Sequence, residues 1–387
     1  MSSKIQFFPA GHPIHGLSEG LAGRLSQAQT DRFEKEFRTV GDVCDRVLSD
    51  LKVSVRVGPE VRNLPAGDVT DQPFSKLQRF FFDLLRSAGV PEQAVNLQAL
   101  NLAQRTHLIR SFSRPDEAVS FIEQKVLQIV KRFPKSAKDL ECGKNPGDVI
   151  DPYILSATQH LLFGGKLDLA VGAAVSHKAL MMIEGLLGHL HEEVIGQMRG
   201  NMRAPEPRGG EQDEIDVALN PFPGADVVQP PAFQREVLRF HQIKSKTGSA
   251  KGGDGKRLGD QLRKLQAKYG GEIFYDALIG NTLKGHRSRA GVEQAAPTVV
   301  VLVGDAAFRA LTRSPIGPEL LLRVYQSAFL EASRKAGYRV EELTAAIVTT
   351  FKERATAQGE GFLESILKDV TQGTPDQQDS RRTPRRA

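Results

Sequence analysis

Apolar positions recur at helical spacing through the first third of the chain. Between Asp31 and Leu51, the residues Phe33, Phe37, Val40, Val43, Val47 and Leu51 fall on one face. Phe74 to Ser87 carries Leu77, Phe80, Phe81, Leu84 and Leu85 before Gly89. A period near 3.6 residues predicts an amphipathic helix in each stretch. Ser113 as N-cap and Pro115 in the first turn open a third helix. Val119, Ile122, Val126, Ile129 and Phe133 form its stripe, and Pro134 is its expected stop. None of these stretches gathers reactive side chains, and they read as scaffold.

From Leu167 onward the pattern changes. A long helix through Val171–Gln197 is followed by a connection rich in Gly, Pro and Arg, from Arg199 to Gly210. Three short strands are expected next, at Glu214–Leu219, Asp226–Gln229 and Glu236–Lys244. A helix then spans Lys256–Tyr269, with Leu258, Leu262 and Leu265 on one side and Gly270-Gly271 to stop it. The run Pro297–Gly304 is rich in β-branched residues and reads as a strand covered on both faces. The order is α, β, β, β, α, β. Helices are expected again at Pro318–Ala336, Val340–Ala357 and Gly361–Val370. After Gly373 comes a disordered tail closing on Arg381, Arg382, Arg385 and Arg386.

Composition narrows the function classes. At 387 residues with a formal charge of +6, the chain can bury a substantial core and favours polyanionic partners. Its two cysteines, Cys44 and Cys142, form no CxxC pair, so neither a disulfide framework nor a cysteine zinc site is indicated. The N-terminus lacks an apolar signal segment, and the apolar stretch Leu161–Leu190 is interrupted by Lys166, Asp168, Lys178 and Glu184. A cytoplasmic location and no membrane partner are expected. Gly255-Lys256 departs from the nucleotide-binding loop pattern at Ala250 and Arg257, so no nucleotide cofactor is expected. His191-Glu192 begins a zinc-protease run that Ile195 breaks, and His12 and His15 lie in a Pro and Gly loop without acidic partners.

The chemistry concentrates on Asp226, Gln242 and Lys244. Side chains two apart on a strand share a face, so Gln242 and Lys244 offer an oxygen ligand and an amine to one phosphate. Asp226, opening the neighbouring strand, adds a carboxylate for a hard cation such as Mg²⁺. Lys246, Lys251, Lys256 and Arg257 gather around a glycine-rich loop suited to a phosphate backbone. Asn281, Lys284, Arg287 and Arg289 form a second group able to reach phosphates and base edges.

With its element order, this set resembles the PD-(D/E)xK nuclease superfamily, to which most type II restriction endonucleases belong. Ala225-Asp226 stands where the family has Pro-Asp, and Gln242-Ile243-Lys244 where it has (Asp/Glu)-x-Lys. The resemblance covers about Val171 to Leu311 and departs from the pattern at Ala225 and at Gln242, where a neutral amide replaces a carboxylate. It implies a mixed α+β (α/β) fold with an αβββαβ restriction-endonuclease-like core and additional N- and C-terminal helices. It also implies a third acid from the preceding helix, Glu192 or Glu193. The expected organisation is a helical region over 1–165, a nuclease core over 166–315, C-terminal helices over 316–372 and a basic tail over 373–387. The expected activity is Mg²⁺-dependent cleavage of double-stranded DNA by a sequence-specific type II restriction enzyme. Alternatives are a structure-specific repair or recombination nuclease, or a non-catalytic DNA-binding protein on the same scaffold. Two-fold symmetric cutting implies a homodimer, with the helices after Pro318 in its interface.

Overall fold

The computed structural model describes residues 5–141, 151–205, 220–246, 254–280, 283, 288–336 and 340–371. Among them five strands form one mixed sheet: β1 (Met202–Arg203), β2 (Val227–Gln229), β3 (Arg239–Lys246), β4 (Glu272–Ile279) and β5 (Val300–Val303). The strands lie side by side in chain order, β1, β2 and β3 antiparallel, then β3, β4 and β5 parallel. The change of sense at β3 requires a long return connection, and the helix Asp254–Tyr269 provides it. The fold is thus mixed α+β; helix Leu167–Gln197 is followed by β1, β2, β3, helix Asp254–Tyr269 and β4, so the described order runs through β1 and β4 rather than through the strands expected at Glu214–Leu219 and Pro297–Gly304.

Three strands differ from expectation, the first being β1, which lies within the Arg199–Gly210 stretch expected to be a connection. The stretch Glu272–Ile279 was not expected to be extended, yet it is an eight-residue strand inside the sheet, with Ile273 to Leu278 all buried. Flanked by parallel neighbours and covered on both faces, it has no polar–apolar alternation to announce it. Conversely, the run around Val300 was expected to be covered on both faces, but β5 is the edge of the sheet and Val300 is 40% exposed. The expected strand Glu214–Leu219 and the tail 373–387 lie outside the described residues.

The two faces of the sheet have different cover. Phe240, Ile273, Tyr275 and Val228 pack in one cluster with Leu258, Leu262, Leu265 and Tyr269 of the Asp254–Tyr269 helix. Gln242 and Lys244 follow Phe240 on this side, called here the site face. His241, Ile243 and Ser245 point to the reverse face. There a Cβ at Gly188 of the Leu167–Gln197 helix would lie 3.4 Å from Ser245 Oγ, and one at Gly196 would overlap the Arg203 backbone. Gly188, Glu192 and Gly196 share one side of that helix by their four-residue spacing, so this side runs from β3 toward β1.

The chain divides into two compact units that interleave along the sequence: Met1–Ile122 with Gly188–Ala328, and Glu123–Leu187 with Phe329–Ala387. The first contains the sheet and a separate apolar cluster built from Phe33 to Ile109. The helix expected over Asp31–Leu51 is interrupted: Phe33–Glu36 and Val40–Asp50 are separate, with Thr39 extended between them. Thr39 accepts from the Asp42 N–H while Asp42 accepts from the Thr39 N–H, a reciprocal cap that starts a new helix. Phe74–Ser87 is helical over its expected range. The helix from Pro115 runs through Pro134 to Glu141 rather than stopping there. Along Gly317–Ala336 the expected apolar side is buried through Leu320, Leu321, Val324 and Ala332. Among the described residues no helix is long and apolar enough to cross a membrane.

Candidate active site

Asp226 is fixed by its backbone before its side chain acts. Its N–H donates to His241 O at 2.8 Å, and its carbonyl accepts from Ala204 N–H at 2.9 Å. It is therefore stitched to β3 on one side and to the end of β1 on the other. The turn that delivers it depends on Gly224, whose φ of +92° disfavours any residue with a Cβ. A Cβ there would also lie 2.7 Å from Gln261 Cβ on the helix beneath.

The Asp226 carboxylate meets Gln242 on the site face. Asp226 Oδ2 accepts from Gln242 Nε2 at 2.5 Å and from the Ile243 N–H at 2.6 Å. Both side chains are close to enclosed, Asp226 at 8% exposure and Gln242 at 4%. With its nitrogen committed to Asp226, the Gln242 amide offers its oxygen as the atom able to bind a cation. Lys244 lies two residues further along β3, opposite Ala277 of β4, and is half-buried. The three residues singled out in the sequence thus share one face where β2 begins and β3 nears its end.

Glu192 and Glu193 are placed differently. Glu193 Oε1 accepts from Arg203 Nη1 at 2.7 Å, and Glu192 Oε2 lies 3.8 Å from Arg203 Nη2. Arg203 pairs in register with Val227, and Val227 with His241, so the arginine belongs to the reverse face. Among the described residues no group of three or more His, Cys, Asp or Glu side chains comes together in a way that would hold a metal ion. The neighbouring His191 is a packed residue: its Nδ1 lies 3.0 Å from Tyr325 Oη, and burial lowers its pKa to about 4. His12 is also structural, with Nδ1 accepting from the Ile14 N–H and Nε2 2.9 Å from Tyr269 O.

Of the basic residues, Lys246 ends β3 exposed, and Lys256 and Arg257 are exposed in the first turn of the Asp254–Tyr269 helix. Arg263, Lys264 and Lys268 continue exposed along that helix, with Asp260 paired to Arg263 at 3.2 Å. Arg289 is engaged locally by Glu293 at 2.6 Å. Lys251, Asn281, Lys284 and Arg287 lie outside the described residues.

One pair of ionisable groups escaped sequence reasoning. On the reverse face His241 Nδ1 lies 2.8 Å from Asp276 Oδ2, with neither side chain exposed at all. His241 also stacks on Phe274 at 4.5 Å. Burial pushes the Asp276 carboxyl up from its ordinary value, and the adjacent imidazole opposes that shift. Among the described residues, His241 Nε2 and Asp276 Oδ1 have no hydrogen-bond partner. The signal available was an aspartate inside the apolar run Ile273–Ile279, which a central strand tolerates only with a partner.

No family model matches the chain, and no curated protein matches it.

Proposed function

We propose that the chain is a metal-dependent nuclease that hydrolyses phosphodiester bonds in double-stranded DNA, on a PD-(D/E)xK-like core. The observation that carries this reading is the joining of Asp226 and Gln242 by a 2.5 Å hydrogen bond, with Lys244 two residues on along the same face. The antiparallel β1, β2 and β3 followed by a helical crossover to a parallel β4 support it, because they present these residues from adjacent strands.

Asp226 and the Gln242 amide oxygen are the donors that would hold Mg²⁺. One carboxylate and one neutral oxygen suit an ion that keeps several of its waters. When bound, the ion offsets charge on the phosphate and acidifies a coordinated water. The Gln242 amide donates to Asp226 and so fixes both side chains before substrate arrives, a preorganisation that removes rotamer freedom from the reacting complex. The Lys244 ammonium donates to a non-bridging phosphate oxygen, stabilises the charge that builds there and orients the attacking water. Lys246, Lys256 and Arg257 neutralise flanking phosphates and position the duplex without reading its sequence. Sequence-specific restriction is the form of this activity we favour.

A second reading is a DNA-binding protein that keeps the scaffold without cutting. It is favoured by one observation: Glu192 and Glu193 are engaged by Arg203, leaving a neutral glutamine where a second acid would strengthen the metal site. Incubating the protein with a plasmid and phage DNA panel in Mg²⁺ or EDTA separates the readings. Discrete Mg²⁺-dependent fragments indicate restriction, and nicks confined to branched or damaged sites indicate repair. Retarded but uncut DNA in both buffers defeats the nuclease reading.

A further inference from the structure

Arg32 is enclosed, at 4% exposure, yet its guanidinium is only partly matched. Nη2 donates to Pro230 O at 2.7 Å and lies 3.9 Å from Glu236 Oε2. That carboxylate is shared: it also lies 3.4 Å from Arg313 Nη1 and accepts from the Ala232 N–H at 2.7 Å. Among the described residues, Arg32 Nε and Nη1 have no hydrogen-bond partner. Nη1 packs over Gly200, where a Cβ would overlap it. Burial, and after it the charge of Arg313, lower the Arg32 pKa to about 10, so Glu236 does not offset the cost of enclosing this cation. A buried charge with spare donors is expensive unless acceptors are supplied to it.

Arg32 lines a cleft of about 400 Å³ within the first compact unit, bordered by residues 31–36, by Ser113 and Arg114, and by Arg199. The lining carries four basic residues, Arg32, Lys35, Arg114 and Arg199, against two acids, Asp31 and Glu36. Both acids are taken by Arg199, whose Nη1 lies 2.9 Å from Asp31 and whose Nη2 lies 2.8 Å from Glu36. The lining therefore has an excess of two positive charges, spread over Arg32 and the exposed Lys35 and Arg114. The contact of Arg114 with Glu117, at 3.3 Å, joins two exposed side chains and neutralises little. Lys35 Nζ lies 3.4 Å from Gln29 O, a neutral acceptor. We propose that this cleft binds a phosphate group, with Arg32 enclosed beneath it and Lys35 and Arg114 at its rim. A phosphate monoester carries close to two negative charges near neutral pH and presents several acceptor oxygens, which arginine donors fit well. A carboxylate brings half that charge. The cleft also leaves room for the rest of a small molecule beyond the phosphate. None of these residues belongs to the site face, and the inference stands without the nuclease reading.

The test is calorimetric titration of the full chain, without DNA or Mg²⁺, with inorganic phosphate, adenosine monophosphate, adenosine and acetate. The two phosphate-bearing probes should saturate, and adenosine and acetate should bind at least about tenfold more weakly. Tighter binding of adenosine monophosphate than of phosphate supports a phosphate carried on a small molecule, and equal affinity supports the free ion. Arg32→Gln should weaken phosphate binding by about tenfold or more, the scale of losing hydrogen bonds from a charged group. Because Arg32 is buried, the exposed pair Lys35→Ala/Arg114→Ala keeps the test decisive if Arg32→Gln folds poorly. That pair should weaken phosphate by about tenfold with an unchanged melting curve. No saturation by either phosphate-bearing probe up to about 10 mM overturns the proposal, as does acetate or adenosine binding as tightly as they do. Phosphate binding that survives Lys35→Ala/Arg114→Ala and is lost in Lys244→Ala places the ion on the site face and overturns it equally.

Discussion

Asp226 and Asp276 are both enclosed carboxylates on adjacent parts of one sheet, and they are held in opposite ways. Asp226 stands where β2 begins, and the hydrogen bonds that orient it include those from the Gln242 amide and the Ile243 N–H, both neutral donors. Asp276 sits in the middle of β4 on the other face and is matched to an imidazole at 2.8 Å. Neutral donors orient a carboxylate without cancelling its charge, whereas a histidine can share the proton or balance the charge. The same contrast extends to the neighbours. Lys244 is half-buried on the site face, while Glu192 and Glu193 on the reverse face are already engaged by Arg203. On the reverse face the pairs are between opposite ionisable groups, His241 with Asp276 and Arg203 with Glu193; on the site face a carboxylate is paired with a neutral amide, which is what the proposed metal site draws on.

The largest effect expected is on the site face. Lys244→Ala should lower the DNA cleavage rate by about 1,000-fold, the scale of losing one well-placed charge-stabilising donor. Its thermal midpoint should stay near that of the wild type, because Lys244 is half-buried at the end of its strand. Single-turnover cleavage beside a melting curve checks both halves.

On the reverse face the expected loss is of stability instead. Asp276→Ala removes the partner of a fully buried His241 and should cost about 3–5 kcal/mol, read from urea denaturation. Replacing both His241 and Asp276 by leucine should cost less than that single change, since no polar group is then left unpaired. A double replacement as damaging as the single one would break the contrast between the faces.

His191 sharpens the comparison through pH. Burial holds its folded pKa near 4, below its ordinary 6.5. The unfolded chain therefore takes up the proton first. The contribution to stability is fully present above about pH 6.5 and is lost as pH falls toward 4, in total roughly 3 kcal/mol. Urea midpoints at several pH values, for wild type and His191→Gln, should show this slope reduced in the variant.

The smallest effect belongs to Glu193. If its role is the ion pair with Arg203, Glu193→Gln should cost about 1 kcal/mol or less and leave cleavage within about threefold. A steep rise in the Mg²⁺ concentration needed for cleavage would instead make Glu193 part of the metal site.

Much of this arrangement was legible in the sequence because it depends on local spacing. Asp226, Gln242 and Lys244 could be grouped because strand alternation puts Gln242 and Lys244 on one face, and an acid opening the next strand lies beside them. The helices Phe74–Ser87 and Asp254–Tyr269 announced themselves by an apolar stripe between terminal signals. What stayed hidden depends on partners distant in the chain. β4 could not be told from its pattern because both its faces are covered, while Val300 looked enclosed because its β-branched run resembles a central strand. The helix continuing through Pro134 contradicts the local stop signal, and Thr39 divides a stripe that looked continuous. The pairing of Glu193 with Arg203 follows from where the helix crosses β1, which no spacing within either segment specifies.

The most direct test of the site is cleavage and binding by Asp226→Ala. In Mg²⁺ the wild type should cut duplex DNA, and Asp226→Ala should leave the same DNA intact. Binding should change by no more than a few-fold in either direction, because affinity resides mainly in the surrounding lysines and arginines. Wild-type cleavage rates in Asp226→Ala would contradict the assignment of this carboxylate to the reacting phosphate, and with it the account of the site face.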